Sequence, residues 1–333
     1  MRPPSFWNNP PRRPGWQTRA LYPLSLLWAR ATARRLATGP RVKCGKPVIA
    51  VGNINLGGTG KTPTVIALVE ILKDMNLTPH IVSRGYGGEV EGPHLVDGMK
   101  DTAKKVGDEP LLLSGFAPVW VAEDRAAGAK AAVQAGADCI LLDDALQNPA
   151  LSHDLTVTVV DAAIGFGNGR VCPAGPLREP VDTGLLRTDF ILAIGADADI
   201  ETLDADWPSL AQIKQVYGQL EPLETGTDWR CFRAYAFAGI GRPQKFYKSL
   251  KAEGAELIAT RSFADHEPFS IAILKRMQAE AWAKGANLVT TEKDAARLPP
   301  DFRAEVITFP VRLKLSQDQA LKDALAALFA QGA

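Results

Sequence analysis

A chain of 333 residues has room for two domains. Its 46% apolar and 23% charged residues are ordinary for a folded soluble protein and exclude wholesale disorder. The net charge of +1 hides an asymmetry: ten of the 38 basic residues and none of the 37 acidic ones lie in residues 1–46, so the rest carries 28 positive against 37 negative charges, a net of −9. A basic head on an acidic body points to an anionic partner at the N-terminal end. Cys44, Cys139, Cys172 and Cys231 form no C-x-x-C pair, which argues against a zinc site or a disulfide framework and fits a reducing cytosol. No apolar run reaches the ~18–20 residues of a membrane span, and the uninterrupted apolar core of a secretory signal is missing.

Residues 1–16, rich in Pro, Asn and Arg, read as irregular. From Thr18 to Leu36 the pattern is helical: Leu21, Leu24, Leu27 and Trp28 form an apolar stripe, widened by Tyr22 and Leu26 and flanked by Arg19, Arg30, Arg34 and Arg35. Such a helix can pack on its own domain, or lie in a membrane interface with its arginines on lipid phosphates. An Arg-rich, acid-poor head also looks like a mitochondrial transit peptide, and nucleic-acid binding is a further option. The residues alone leave these open.

Next comes a short buried strand, Pro47–Val51, then Gly52-Asn53-Ile54-Asn55-Leu56-Gly57-Gly58-Thr59-Gly60-Lys61-Thr62, then Val65, Leu68, Val69 and Leu72 at helical spacing. Strand, glycine-rich loop and helix is the context of a nucleotide-binding P-loop. In that reading Asn55 to Thr62 bind phosphate. The glycines let backbone N–H groups converge on phosphate oxygens, Lys61 reaches the β- and γ-phosphates, and Thr62 is a ligand of Mg²⁺. The first glycine of G-x-x-x-x-G-K-[ST] falls on Asn55; asparagine's tolerance of positive φ makes the exchange acceptable. Ala137 to Asp144 is an apolar strand ending in two carboxylates, as a Walker B segment does, and Asp143 or Asp144 there can hold Mg²⁺.

Further strands are expected at His80–Ser83, Val119–Ala122, Leu155–Asp161 and Phe190–Ile194, with a helix at Arg125–Ala135. The polar stretch Asp197–Thr227 reads as a connector. Beyond it come strands at Phe232–Ala238, Leu257–Thr260, Leu288–Thr291 and Val306–Phe309, and helices after Pro243, at Ile271–Trp282 and at Gln317–Phe329. The alternation predicts an α/β protein: a P-loop, doubly wound, mostly parallel sheet (47–210), a second, smaller α/β domain (211–333), and the N-terminal amphipathic helix within 1–46.

Five other segments have compositions suited to chemistry. Gly107-Asp108-Glu109-Pro110 sets two carboxylates in a turn, or caps a helix. Phe263-Ala264-Asp265-His266-Glu267-Pro268 places a histidine beside carboxylates, so Asp265 and His266 are candidates for base chemistry. Gly167 to Pro180 is a long rigid loop with charged tips, Ser83 to Gly88 is a glycine-rich loop with an arginine, and Thr291-Glu292-Lys293-Asp294 follows a strand.

In this order GNINLGGTGKTP (52–63), SRGYG (83–87), GDEPLL (107–112), DDALQ (143–147), PAGPLREP (173–180), FADH (263–266) and TEKDAARL (291–298) resemble the tetraacyldisaccharide 4′-kinases, the lipid A 4′-kinases of Gram-negative bacteria. The match extends over roughly residues 47–298. The resemblance implies Mg²⁺-dependent transfer of the ATP γ-phosphate to the 4′-hydroxyl of a lipid A disaccharide 1-phosphate. It implies Asp108 as acid–base residue supported by His266, Lys61 and Thr62 on phosphate and Mg²⁺, and Asp143, Asp144 and Glu179 as active-site carboxylates of the metal site, within a cleft between the two α/β domains. It also implies a peripheral position on the cytoplasmic face of the inner membrane, with the basic head on anionic lipid. Departures are Asn148 where the family pattern has His, Glu267 in place of a second His, and His153 where Arg is common. A regulatory ATPase or GTPase switch shares the GGTGKT-like loop. It would want a second Lys where Leu56 stands, or an Asn-Lys-x-Asp motif, which Thr291 to Asp294 does not supply. The acidic body opposes nucleic acid as partner.

Overall fold

A computed structural model describes residues 3–330. A 3₁₀ turn, Ser5–Asn8, leads into α1 (Trp16–Thr38). There follow β1 (Val48–Gly52), α2 (Lys61–Asp74), β2 (Pro79–Ser83), β3 (His94–Leu95), α3 (Ala103–Val106), α4 (Asp108–Leu113), β4 (Val119–Val121), α5 (Arg125–Gln134), β5 (Cys139–Leu142), β6 (Leu155–Asp161), α6 (Val181–Leu185), β7 (Phe190–Ile194), α7 (Asp197–Asp206) and β8 (Lys214–Pro222). The chain then makes β9 (Arg233–Ala238), α8 (Pro243–Ala252), β10 (Glu256–Ser262), α9 (Ile271–Ala283), β11 (Asn287–Thr291), α10 (Glu292–Ala296), α11 (Pro300–Arg303) and β12 (Ile307–Phe309), and ends with β13 (Val311–Ser316) and α12 (Gln319–Ala330).

Nine strands form one sheet in the order β13-β8-β7-β6-β1-β5-β2-β4-β3, parallel except for the edge pairs β13–β8 and β3–β4. β1, β5, β6 and β7 are buried on both faces, which is why they read as unbroken apolar runs. Ile49, Val51, Leu141, Val157 and Leu192 face α2 on one side, while Val48, Ala50, Ile140 and Leu142 face Ala129 and Ala132 of α5 on the other. β10-β9-β11-β12 make a second, all-parallel sheet.

The division of the chain differs from the sequence reading. The supposed connector contains α7 and β8, and β8 pairs with β7 and β13 in the large sheet. Leu321 and Leu325 of α12 pack with Val65 and Leu68 of α2. The second domain is therefore an insertion between β8 and β13, and the chain returns to the first domain at Val311. Both strands were concealed by polar residues between the buried ones: Gln215 and Gln219 of β8 lie on the face opposite the buried Val216 and Gly218, and Lys314 of β13 follows the buried Leu313, so neither forms an apolar run.

α1 is inverted relative to an ordinary surface helix. Its buried positions are Thr18, Ser25, Thr32 and Leu36, at near-heptad spacing, whereas Tyr22, Leu24, Leu26, Leu27 and Trp28 are exposed. Ser25 donates to the Val171 carbonyl at 2.7 Å and accepts from the Ala174 N–H at 3.1 Å; the Thr18 hydroxyl accepts from Asn168 Nδ2 at 3.1 Å. The helix is docked by hydrogen bonds to the 166–176 loop, and its apolar stripe faces outward.

Candidate active site

The phosphate loop runs from β1 into the first turn of α2. Gly60 has φ +99°, and a Cβ there would lie 2.6 Å from Ile194 Cδ1, so only glycine closes the loop onto β7. Around Gly57 and Gly58 the same position is open space. Asn53 braces the loop, its Nδ2 donating to the Gly57 carbonyl and to Thr59 Oγ1, both at 3.0 Å. Lys61 Nζ donates to Asn53 Oδ1 at 3.3 Å and lies 3.6 Å from Asp144 Oδ1. Thr62 sits beside it in the first turn of the helix. The variant position works differently from expectation: Asn55 does not have positive φ. It bridges Leu177, and its buried Nδ2 donates to the Gly165 carbonyl at 3.0 Å, tying the loop to the 163–178 segment.

β5 delivers Asp143 and Asp144. Asp143 is buried; Ser83 Oγ donates to its Oδ2 at 3.3 Å, and its Oδ1 has no protein partner. Burial, followed by the negative charges of Glu109 and Asp144, pushes its pKa up to about 7. Asp144, at φ +52°, takes a bidentate pair from Arg178 at 2.9 and 3.0 Å. Burial pushes its carboxyl upward, but the cations Lys61 and Arg178 outweigh that and hold it low. The expectation that Glu179 joins a metal site is corrected by its surroundings. It is 2% exposed, Arg187 Nη2 donates to both of its oxygens at 2.6 Å, and Gln147 Nε2 adds 2.9 Å to Oε1. Its charge is neutralised by an arginine, and through Gln147, which also donates to the Asn53 carbonyl at 2.9 Å, it props the loop from behind.

The other wall is built from both domains. Gly107, at φ +93° and too close to the Tyr86 carbonyl for a Cβ (2.9 Å), turns the chain into α4 and presents Asp108 in its first turn. His266, 158 residues away, places Nδ1 3.0 Å from Asp108 Oδ2. A carboxylate accepts, so the imidazole N–H sits on Nδ1. Asp265 Oδ1 lies 3.8 Å from Nε2, Tyr86 meets the imidazole edge-on at 5.6 Å, and Arg297 Nε lies 3.8 Å from Asp108. Beside this pair Lys293 donates to Glu109 at 2.9 Å. Burial raises Glu109, but Lys293, Lys61 and His266 bring it below its ordinary value; Lys293 is lowered by burial and raised further by Glu109, Asp265 and Asp108.

Several of these groups escaped the sequence reading as site residues. Glu109, Lys293 and Arg297 lie inside motifs that were noticed, but Glu109 and Lys293 find each other across 184 residues, and Arg297 reaches the Glu267 carbonyl 30 residues back. Asp294, fully buried, accepts from the Gly239 N–H at 3.0 Å and from Arg297 at 2.5 Å, while Arg297 stacks 4.3 Å over Phe269 and donates to the Glu267 carbonyl. This frame fixes the turn that carries His266. Glu267 accepts the Ala264 N–H at 2.7 Å, and Asn148 caps a turn on Ala150, so neither replaces a titrating histidine. His153 is held neutral, pushed down to about 4 by burial and by Arg187.

A P-loop with its lysine on a Walker-type carboxylate pair, faced by an Asp–His pair from two domains, defines a P-loop phosphotransferase. The chain matches the family model of tetraacyldisaccharide-1-P 4′-kinase over residues 17–330, and it belongs to that family. It is 56% identical over 330 residues to the tetraacyldisaccharide 4′-kinase of Dinoroseobacter shibae, covering 99% of this chain and 98% of that one. With the enzyme of the same name from Jannaschia sp. it shares 53% over 315 residues, 95% of each chain. Among solved structures, LpxK from Aquifex aeolicus in complex with ATP superposes with a TM-score of 0.75 at 26% identity, over 94% of this chain and 99% of that one.

Proposed function

We propose that this chain transfers the γ-phosphate of ATP to the 4′-hydroxyl of a tetraacyldisaccharide 1-phosphate, giving ADP and the 4′-phosphorylated lipid. The observation that carries the reading is the Asp108–His266 pair brought against the phosphate-loop side of the cleft in a chain of this family. Asn55 to Thr62 bind the phosphates, with Lys61 on the β- and γ-phosphates. Asp108 Oδ2 is held by His266, so Oδ1 is left to take the 4′-hydroxyl proton. The sugar oxygen then forms its bond to the γ-phosphorus as the bond to the β,γ-bridging oxygen breaks, and that electron pair leaves with ADP. His266 keeps the carboxylate oriented, and Asp265, 3.8 Å from Nε2, places a second negative charge on the far side of the ring.

Mg²⁺ fits the residues present. Asp143 offers a buried oxygen without a protein partner at a raised pKa, the condition that an adjacent cation relieves, and Thr62 supplies a hydroxyl. When bound between them, Mg²⁺ would neutralise charge on the β- and γ-phosphate oxygens. Asp144, engaged by Arg178, orients that arginine and Lys61.

The reading is tested by measuring transfer of ³²P from γ-labelled ATP to tetraacyldisaccharide 1-phosphate against a lipid-free control. Hydrolysis independent of lipid, with no labelled lipid, would replace the kinase by an ATPase.

Among the described residues no helix is long and apolar enough to cross a membrane. The outward stripe of α1, between the exposed Arg19, Arg30, Arg34 and Arg35, supports a peripheral position on an anionic membrane, at the cytoplasmic face of the inner membrane where ATP is available. Each Leu or Trp buried in lipid contributes about 1.5–3 kcal/mol at full burial. Replacing Leu24, Leu27 and Trp28 by serine is therefore expected to lower partitioning into phosphatidylglycerol-containing liposomes by at least about tenfold, one decade per ~1.4 kcal/mol. Soluble ATP binding should be unchanged. Cosedimentation equal to the parent would remove the membrane role of α1.

A further inference from the structure

A cationic cluster on the second domain is not used by the chemistry above. β9 ends at Ala238 and continues as Gly239-Ile240-Gly241-Arg242 into α8 at Pro243. This turn lies directly against the phosphate loop: a methyl group placed on Gly241 would be 4.0 Å from the Gly58 backbone nitrogen and 3.7 Å from Asp265 Oδ2. The next residue, Arg242, donates from Nη1 to Asp161 Oδ2 at 2.6 Å, and Lys245, one turn into α8, reaches the same oxygen at 2.5 Å. Asp161 is the last residue of β6, the strand beside β1, and is 5% exposed. Its other oxygen accepts the Ala163 N–H at 3.2 Å.

The charges do not balance. Within this cluster one carboxylate faces a guanidinium and an ammonium, a surplus of one positive charge at the carboxyl end of β6, the end of the sheet where open α/β folds bind their ligands. Nη2 and Nε of Arg242 make no hydrogen bond among the described residues, and both side chains remain more than a third exposed. A purely structural interdomain ion pair needs only one cation. Two cations fixed on a nearly buried carboxylate, with donors left over, on a turn that meets the phosphate-binding loop at Gly241, are suited to a polyphosphate.

We propose that Arg242 and Lys245 form a phosphate clamp contributed by the second domain, binding the nucleoside triphosphate over the Gly57–Gly60 turn, and that Asp161 is the positioning residue that aims them. The proposal rests on ATP occupying that turn. It couples nucleotide binding to the seating of the second domain, because the cations that touch phosphate also hold the domain to β6.

The test is calorimetric titration of the full-length protein with MgATP and with AMP, without lipid, in the parent, Arg242→Met, Arg242→Lys, Lys245→Met and Asp161→Asn. Arg242→Met and Lys245→Met should each weaken ATP binding about 10-fold or more while AMP binding changes less than about threefold, since only charge-assisted contacts to the phosphate chain are removed. Arg242→Lys should recover part of the loss. Asp161→Asn should raise KM for ATP with little change in kcat or in KM for lipid. If Arg242→Met and Lys245→Met bind ATP within twofold of the parent, whatever happens to their melting temperatures, the pair is a structural bridge and the clamp is wrong. Failure of the parent itself to bind ATP would instead overturn the assignment of the loop.

Discussion

Lys61→Ala is expected to lower kcat by about 10³ or more, the scale of removing a preorganised positive group from a transferring phosphoryl. The side chain enters from the first turn of α2 with its ammonium near Asn53 and Asp144. Its removal leaves Asn53 Nδ2 still bonded to Gly57 and Thr59, and Asp144 still bidentate with Arg178. The loop therefore keeps its shape, and circular dichroism and the melting temperature should stay near the parent. Single-turnover transfer from γ-labelled ATP isolates the chemical step from nucleotide binding. An arginine at this position should rescue little, because a planar guanidinium cannot occupy the place of a compact ammonium between Asn53 and Asp144. Turnover within tenfold of the parent in Lys61→Ala would sink the assignment of the phosphate loop.

What the amino-acid sequence discloses follows from how local each feature is. The strands buried on both faces, β1, β5, β6 and β7, are legible because burial demands an unbroken apolar run. β8 and β13 are not, because alternating wet positions resemble a polar linker and their pairing joins residues 214–222 to 311–316 across an entire inserted domain. The phosphate loop is local and legible; the reason Asn55 can replace its glycine is not. That reason is a hydrogen bond to Gly165, 110 residues on, rather than a backbone conformation. Glu179 looks like any active-site carboxylate until Arg187, eight residues later, is seen to hold both of its oxygens. In α1 the periodicity identifies the helix and its stripe, but which side faces the protein depends on hydrogen-bond acceptors in the 166–176 loop, such as the Val171 carbonyl that receives Ser25. Composition cannot report that.

Asp108→Asn is the second large effect, and it separates base chemistry from binding. Asparagine keeps the size of the side chain, and its carbonyl oxygen can still accept from His266 Nδ1, so the two domains remain joined at this contact. It cannot take the 4′-hydroxyl proton. The expected loss is about 10²–10⁴ in kcat, the usual contribution of a positioned base, with KM for ATP near the parent value because the phosphate loop lies on other elements. His266→Ala should cost less, about 10–10², since Asp108 keeps its carboxylate and loses only its orientation, and Arg297 still lies 3.8 Å away to hold part of the charge. If Asp108→Asn instead raised KM for the lipid and left kcat intact, Asp108 would be a sugar-binding residue and the proton would have to leave by another carboxylate. Glu109 would then be the nearest candidate, although its pairing with Lys293 at 2.9 Å makes it a poor acceptor. The order of effects, Asp108 above His266 with ATP affinity retained in both, is the pattern that only a base oriented from the opposite domain produces.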